Sequence, residues 1–254
     1  MLFENRARAE SFGAIAELYD RARPSYPPAL IDALLVDGPR RVLDVGCGTG
    51  IAAALLAARG CEVLGVEIDE RMAAVARAKG LEVDVARFED WEPAGRSFDL
   101  VTAAQAWHWV DPDVGAAKAA AVLREGGEIG LFWNLGDPPA DVREALAGVY
   151  GRCVPELDDH SAVPDRYNSR VEDTLAGIEH CDALGPVRVR RFEWSERYDS
   201  ETWVERVSTK SDHQLLEPER RERLLDAVGE AIDALGGSFV MSHETVLVSA
   251  RRIS

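Results

Sequence analysis

Val42-Leu43-Asp44-Val45-Gly46-Cys47-Gly48-Thr49-Gly50 runs directly into Ile51-Ala52-Ala53-Ala54-Leu55-Leu56-Ala57, and the reading of that junction decides the fold. An apolar β-branched run breaks into glycines and then into an alanine-rich stretch, as a buried strand does when it turns straight into a helix. Gly46, Gly48 and Gly50 let the backbone turn tightly and approach a ligand without a Cβ collision, and Thr49 offers a hydroxyl at the helix entrance. The GxGxxG spacing that admits a dinucleotide pyrophosphate would need a glycine at Ile51, so an NAD-linked oxidoreductase is disfavoured. Asp44 suits one of two tasks, fixing the glycine loop or receiving a ligand ammonium; beside a diphosphate it would repel.

Working outward, Val42–Trp133 alternates short β-branched stretches with helix-length segments, the rhythm of an α/β domain with a mostly parallel sheet and right-handed crossovers. Strands are predicted near Arg41–Val45, Glu62–Val66, Leu81–Ala86, Leu100–Ala103 and Glu128–Trp133. Helices are predicted over Gly50–Ala58, Glu70–Lys79 and Pro112–Val122, with exits at Gly60, Gly80 and Gly126. Glu67 follows the second strand, where a carboxylate can receive both hydrogens of a ribose diol; the plain alternative is a surface acid at the next helix N-terminus.

Before this block, Phe12–Asp20 and Ala29–Leu35 read as short helices interrupted at Tyr26–Pro28. Residues 1–38 are therefore a helical flap whose segment Tyr19–Pro27 mixes rings, guanidiniums and prolines, and which could either cover a ligand or simply pack through salt bridges. Beyond Asn134, Gly136-Asp137-Pro138-Pro139 breaks the pattern, and helices at Val142–Val149 and Val171–Ile178 make 136–183 a helical insertion or substrate-facing cap. Strands at Val187–Trp194 and Thr245–Ala250 and helices at Glu201–Ser208 and Pro218–Leu235 complete a single domain over 1–254, with Glu217–Arg223 as a solvated helix face.

The 254 residues are 46% hydrophobic, enough for one substantial core without staples. With 45 acidic against 29 basic residues and a net charge of -16, a general affinity for nucleic acid or anionic membrane is disfavoured. The four cysteines are scattered and form no CxxC pair, which predicts reduced thiols in a cytoplasmic protein and no metal centre. No apolar run approaches the roughly 20 residues a membrane span needs.

Val42–Gly50, Gly65-Val66-Glu67-Ile68-Asp69, Phe98-Asp99-Leu100-Val101 and the strand ending at Trp133-Asn134 together resemble the class I S-adenosylmethionine-dependent methyltransferase family. Phe12-Gly13-x-x-Ala16-x-x-Tyr19-Asp20-Arg21, Arg23-Pro24-x-Tyr26-Pro27 and Gln105-Ala106-Trp107-His108-Trp109 resemble its small-molecule branch. The resemblance implies a Rossmann-like, seven-stranded, mostly parallel sheet with helices on both faces and an antiparallel last strand. It implies S-adenosylmethionine as cofactor, with Asp44, Gly46, Cys47, Gly48 and Thr49 around its methionine and sugar, Glu67 at the ribose and Ile68 beside adenine. Where many relatives place an aspartate for the adenine amino group, this chain has Arg87, which cannot accept that bond. Phe88 is then left to line the adenine face, with Glu89 or a backbone carbonyl as acceptor. Gln105 falls at the methionine end, and Tyr19 and Arg23 reach the cofactor from the flap.

The implied reaction is a direct SN2-like methyl transfer to a small-molecule acceptor through alignment and desolvation, without a covalent enzyme intermediate or a metal. Tyr26, Trp107, Trp109 and Asn134 are candidate acceptor contacts. His108 has the side chain to remove an acceptor proton, or else packs and orients the acceptor. His213 and His243 stand alone and read as structural or surface residues. No nucleic acid or membrane partner is expected, and the protein is a monomer or homodimer. A catalytically silent cofactor-binding or interaction protein is the competing reading.

Overall fold

The computed structural model describes residues 10–157 and 163–253, so residues 1–9 of the expected flap and 158–162 of the expected insertion lie outside the described residues. Seven strands form one sheet: β1 (Arg41–Val45), β2 (Glu62–Glu67), β3 (Glu82–Val85), β4 (Phe98–Ala104), β5 (Leu123–Asp137), β6 (Arg188–Asp199) and β7 (Ser238–Arg251). Their order is β3-β2-β1-β4-β5-β7-β6. β1 to β5 pair in parallel, and β7 runs antiparallel to both β5 and β6, so β7 is the one reversed strand. This is the Rossmann-like sheet that the motifs imply.

The described helices are α1 (Ala16–Ala22), α2 (Pro28–Leu34), α3 (Ile51–Ala57), α4 (Glu70–Ala78), α5 (Pro112–Val122), α6 (Ala140–Cys153), α7 (Val163–Glu179), α8 (Ser200–Ser208), α9 (Ser211–Gln214) and α10 (Pro218–Ala234). Alternation along the strands divides the core. Leu43 and Val45 of β1 join Val101, Ile129 and Trp133 on one face, against α5 and α7. Val42, Leu100 and Phe132 pack on the other face, under Leu30, Ile31 and Leu34 of α2. Leu30 and Phe132 are fully buried, and each such side chain stabilises the fold by roughly 1.5–3 kcal/mol relative to exposure. A separate cluster of α6, α8 and α10 side chains packs around Trp203, Tyr198 and Phe239 where β6 ends and β7 begins.

Several boundaries move, each for a local reason. The first helix begins as a 3-10 turn, Glu10–Ile15, and becomes α-helical only at Ala16. β5 does not stop at Trp133 but pairs with β7 through Gly136 and Asp137, because Gly136 faces His243 and leaves room for its ring: a Cβ there would lie 2.3 Å from Met241 Cε. β6 and β7 are longer than predicted since inward positions of β6 include Glu196, which masks the alternation. β6 ends where Asp199 and Thr202 form a reciprocal capping box that starts α8. Among the described residues, no helix is long and apolar enough to cross a membrane.

Candidate active site

Strand order reverses between β1 and β4, and a crevice opens there at the carboxyl ends of the parallel strands. The glycine loop hangs from β2: Gly46 and Cys47 N–H groups donate to the Val66 carbonyl at 2.8 and 3.2 Å. Gly46 has φ +64° and a Cβ on it would stand 2.6 Å from the Ala106 Cβ, so no other residue lets the β1 and β4 loops approach so closely. Glu67, at the end of β2, is 8% exposed. Its Oε2 accepts from Gly48 N–H at 2.8 Å and its Oε1 from Asp69 N–H at 3.0 Å. Burial raises its carboxyl above the usual range, and these backbone donors work against that rise. A carboxylate has about four acceptor positions, so Glu67 can brace the loop and still receive hydrogens from a ligand in the cleft it lines.

Asp44 lies beneath the loop, fully buried. Thr102 Oγ1 donates to its Oδ1 at 2.7 Å, and its Oδ2 has no hydrogen-bond partner among the described residues. Burial pushes the carboxyl up to about 7, with the Thr102 bond opposing and the Glu67 charge adding. Nothing in the sequence marks Thr102 as a partner of Asp44 except its hydroxyl among the apolar residues Leu100 to Ala104 of β4. Cys47 and Thr49 are both buried, and Thr49 Oγ1 makes no hydrogen bond among the described residues, so it does not cap α3 as the sequence suggests. The Cys47 sulfur fills the space above Gly65, where a Cβ would come within 2.5 Å of it.

The cleft and its open mouth together span about 900 Å³, part of it open to solvent. Tyr19, Gly46, Gly48, Glu67, Ile68, Phe88, Glu89, Gln105 and Trp109 line it together, joined by Met72, Arg87, Ala106 and Val110, of which sequence reasoning placed only Arg87 near a ligand. Arg87 and Glu89 stand 3.5 Å apart, and Glu89 Oε1 accepts from Asp111 N–H at 2.8 Å. Gln105 takes φ +59°, a left-handed conformation costing a non-glycine residue of order 1–3 kcal/mol, of the kind that clusters at functional sites. Its N–H donates to Phe132 O at 2.9 Å and its Nε2 to Asn134 O at 3.3 Å.

Other sequence candidates stand behind or beside the cleft. Trp107, His108 and Trp109 form a 3-10 turn after β4. Trp107 is 6% exposed and packs on Phe88 with ring centroids 6.1 Å apart, which makes it part of the wall's support. The His108 ring sits 4.9 Å from that of Trp109. Tyr26 meets Phe132 edge-on at 4.9 Å. Asn134 is a tie between segments: its Nδ2 donates to Ser25 O at 3.0 Å and its Oδ1 accepts from Thr245 Oγ1 at 2.6 Å. Arg23 donates to Thr209 instead of into the cleft. His213 and His243 are both buried, His213 between Tyr150 and Asp212 and His243 stacked on Trp194 at 4.2 Å. Among the described residues, no group of three or more His, Cys, Asp or Glu could hold a metal ion.

The family model for the methyltransferase domain matches residues 42–127, which span the glycine loop, Glu67 and the Trp107–Trp109 turn. An uncharacterized methyltransferase of Mycobacterium tuberculosis is 32% identical over 258 residues, covering 98% of this chain and 99% of the relative. A trans-aconitate 2-methyltransferase of Methylobacterium radiotolerans is 28% identical over 256 residues, covering 92% and 95%. A solved methyltransferase-like chain of Anaeromyxobacter dehalogenans shares the fold with a TM-score of 0.63 at 23% identity, over 90% of this chain and 97% of that one. The chain belongs to the class I S-adenosylmethionine-dependent methyltransferase family. It is an enzyme of methyl transfer, with S-adenosylmethionine as its cofactor. The site suits that group: the loop presents Gly46 and Gly48, which lack a Cβ, to the cleft beside a buried carboxylate with acceptor capacity to spare.

Proposed function

We propose that this enzyme methylates a small molecule, with the cofactor held in the cleft above the ends of β1, β2 and β4 and an organic acid as the first acceptor class to test. The observation that carries the cofactor placement is Glu67, whose two oxygens brace Gly48 and Asp69 while the residue lines the cleft. In this reading Glu67 receives the ribose diol, Gly46 and Gly48 admit the sugar and methionine portions, and Ile68 and Phe88 flank adenine. Gln105 and Tyr19 close the methionine end. Bound there, the cofactor supplies an electrophilic methyl on a sulfonium. The protein's part is to align the acceptor, exclude water and, for an acceptor that must lose a proton, take it up at His108.

The acceptor side falls to the flap within residues 1–38 and the cap within 136–183, with Trp109 as the aromatic wall between them. The organic-acid class is favoured because the relative named for trans-aconitate aligns over 92% of this chain, acceptor half included. The enzyme is assigned to the cytoplasm as a monomer or homodimer. Titration calorimetry with S-adenosylhomocysteine, S-adenosylmethionine and NAD should show binding of the first two and not the third. A labelled-methyl assay divided into RNA, protein and metabolite fractions should then place the label in metabolites. Label in RNA or protein would remove the small-molecule reading, and binding without transfer to any acceptor would leave a silent cofactor binder.

A further inference from the structure

Arg23 donates from Nε to Thr209 Oγ1 at 2.9 Å and from Nη2 to the Thr209 carbonyl at 2.8 Å. Its guanidinium carbon lies 4.8 Å from the centroid of the Tyr19 ring, and Tyr19 lines the cleft. Thr209 is fully buried and closes α8, with its own hydroxyl donating to Arg206 O at 2.7 Å. A cation is thereby seated at the carboxyl end of a helix, where carbonyl groups lack partners and the helix dipole is negative. A planar guanidinium fits this double acceptor and an aromatic face at once, which an ammonium cannot do. The result is a continuous physical path from the end of α8, through Arg23, to a ring in the cleft wall.

We infer that Thr209 is a positioning residue for the cofactor: it fixes Arg23, and through Arg23 the Tyr19 ring, so that closure of the 19–26 segment over the cleft depends on a side chain that never touches the ligand. The inference rests on the cofactor placement proposed above. Other ties hold the same segment, namely Arg21 to Glu205 at 2.9 Å, Lys79 to Asp20, and Asn134 to Ser25. Loss of Thr209 therefore loosens the segment without releasing it. Affinity falls only by the fraction of molecules in which Tyr19 is no longer in place.

Thr209→Val keeps the volume and removes the hydroxyl. It should weaken S-adenosylhomocysteine binding roughly five- to tenfold and raise KM for S-adenosylmethionine in step, with kcat at saturating cofactor largely retained. Thr209→Ser should restore the wild-type values. Tyr19→Ala should also weaken binding, and adding Thr209→Val to it should cost nothing further, because the ring through which Thr209 acts is gone. Additive losses, or a serine variant as impaired as the valine variant, overturn the inference. Trypsin supplies a readout without ligand: Arg21 has an exposed side chain, and cleavage after it should be faster in Thr209→Val than in wild type or Thr209→Ser. Unchanged cleavage overturns the latch whatever the binding data give. Wild-type protein that binds no S-adenosylhomocysteine defeats the cofactor placement itself, a separate failure, since cleavage still reads the latch.

Discussion

β1, β2 and β3 have five, six and four residues and pair in parallel, whereas β6 and β7 have twelve and fourteen and pair antiparallel at the other end of the sheet. The first end places a cleft by means of single backbone requirements. Gly46, Gly48 and Gly50 all have positive φ, and Glu67 holds two N–H groups of the loops beside it. The second end is shaped by mass packing, Trp203, Tyr198 and Phe239 against α10, and by side-chain hydrogen bonds such as Trp194 to Thr245 to Asn134. A residue at the cleft end is therefore replaceable by very little, while one at the far end is replaceable by anything of similar shape and hydrogen-bonding capacity.

That contrast is sharpest at Gly46. Gly46→Val puts a branched side chain where even a Cβ meets Ala106 at 2.6 Å, in a left-handed conformation that β-branched residues avoid. No S-adenosylhomocysteine binding should be measurable by calorimetry, with the far-end core still cooperative by near-ultraviolet dichroism; intact binding would mean the loop geometry is wrong. Next comes His108, at the seam between the two ends. If it serves as base, His108→Gln should lower kcat about 10²–10⁴-fold and leave S-adenosylhomocysteine affinity unchanged. Normal turnover across the pH range with the native acceptor would reduce His108 to packing or orientation. Glu67→Ala should retain the fold and lose about 1–3 kcal/mol of adenosyl-ligand affinity, and a folded variant of unaltered affinity would leave the ribose without its receiver.

The far end is tested through stability and leaves the cleft untouched. Burial first, and the Arg206 charge second, depress the His243 imidazole to about 3. The unfolded chain, with an ordinary imidazole near 6.5, binds a proton that the folded chain refuses between those values. Stability contributed by neutral His243 is thus complete above about pH 6.5 and declines as pH falls toward 3, by about 1.4 kcal/mol per pH unit from this one group. Urea titrations of wild type and His243→Leu over pH 4–7 should show a flatter acid limb for the variant. Parallel limbs would place the acid sensitivity elsewhere.

The difference between the ends also sets what the sequence discloses. The glycine loop is legible because close backbone approach and positive φ ask for glycine, Glu67 is legible as an acid directly after the second strand, and the reversed strand follows only from the family resemblance. Arg23 was not: its sequence neighbours, Tyr19 and Tyr26, mark a segment near a ligand, but the partner it takes is Thr209, far along the chain and without a motif of its own. Trp107, His108 and Trp109 were placed at the cleft by position after β4, and only the 3-10 turn decides that Trp109 lines it while Trp107 supports Phe88 from behind. Asn134 is a candidate acceptor contact at the end of the motif strand Trp133-Asn134. Its amide instead joins the flap to β7. The extra length of β6 is hidden by Glu196 and Arg197, charges that also discourage its open edge from pairing with another chain.

β7 lies between β5 and β6 in the sheet, although it follows both in the chain. As the polypeptide leaves the ribosome, β6 therefore emerges with no strand to join, and the hydrogen-bonding edge of β5 stays bare until Ser238–Arg251 has been made. The glycine-loop end can assemble from contacts already synthesised, but the far end must be held open for its middle strand. During that interval the chain exposes two strand edges and the apolar face of β6, and chaperone demand should concentrate there.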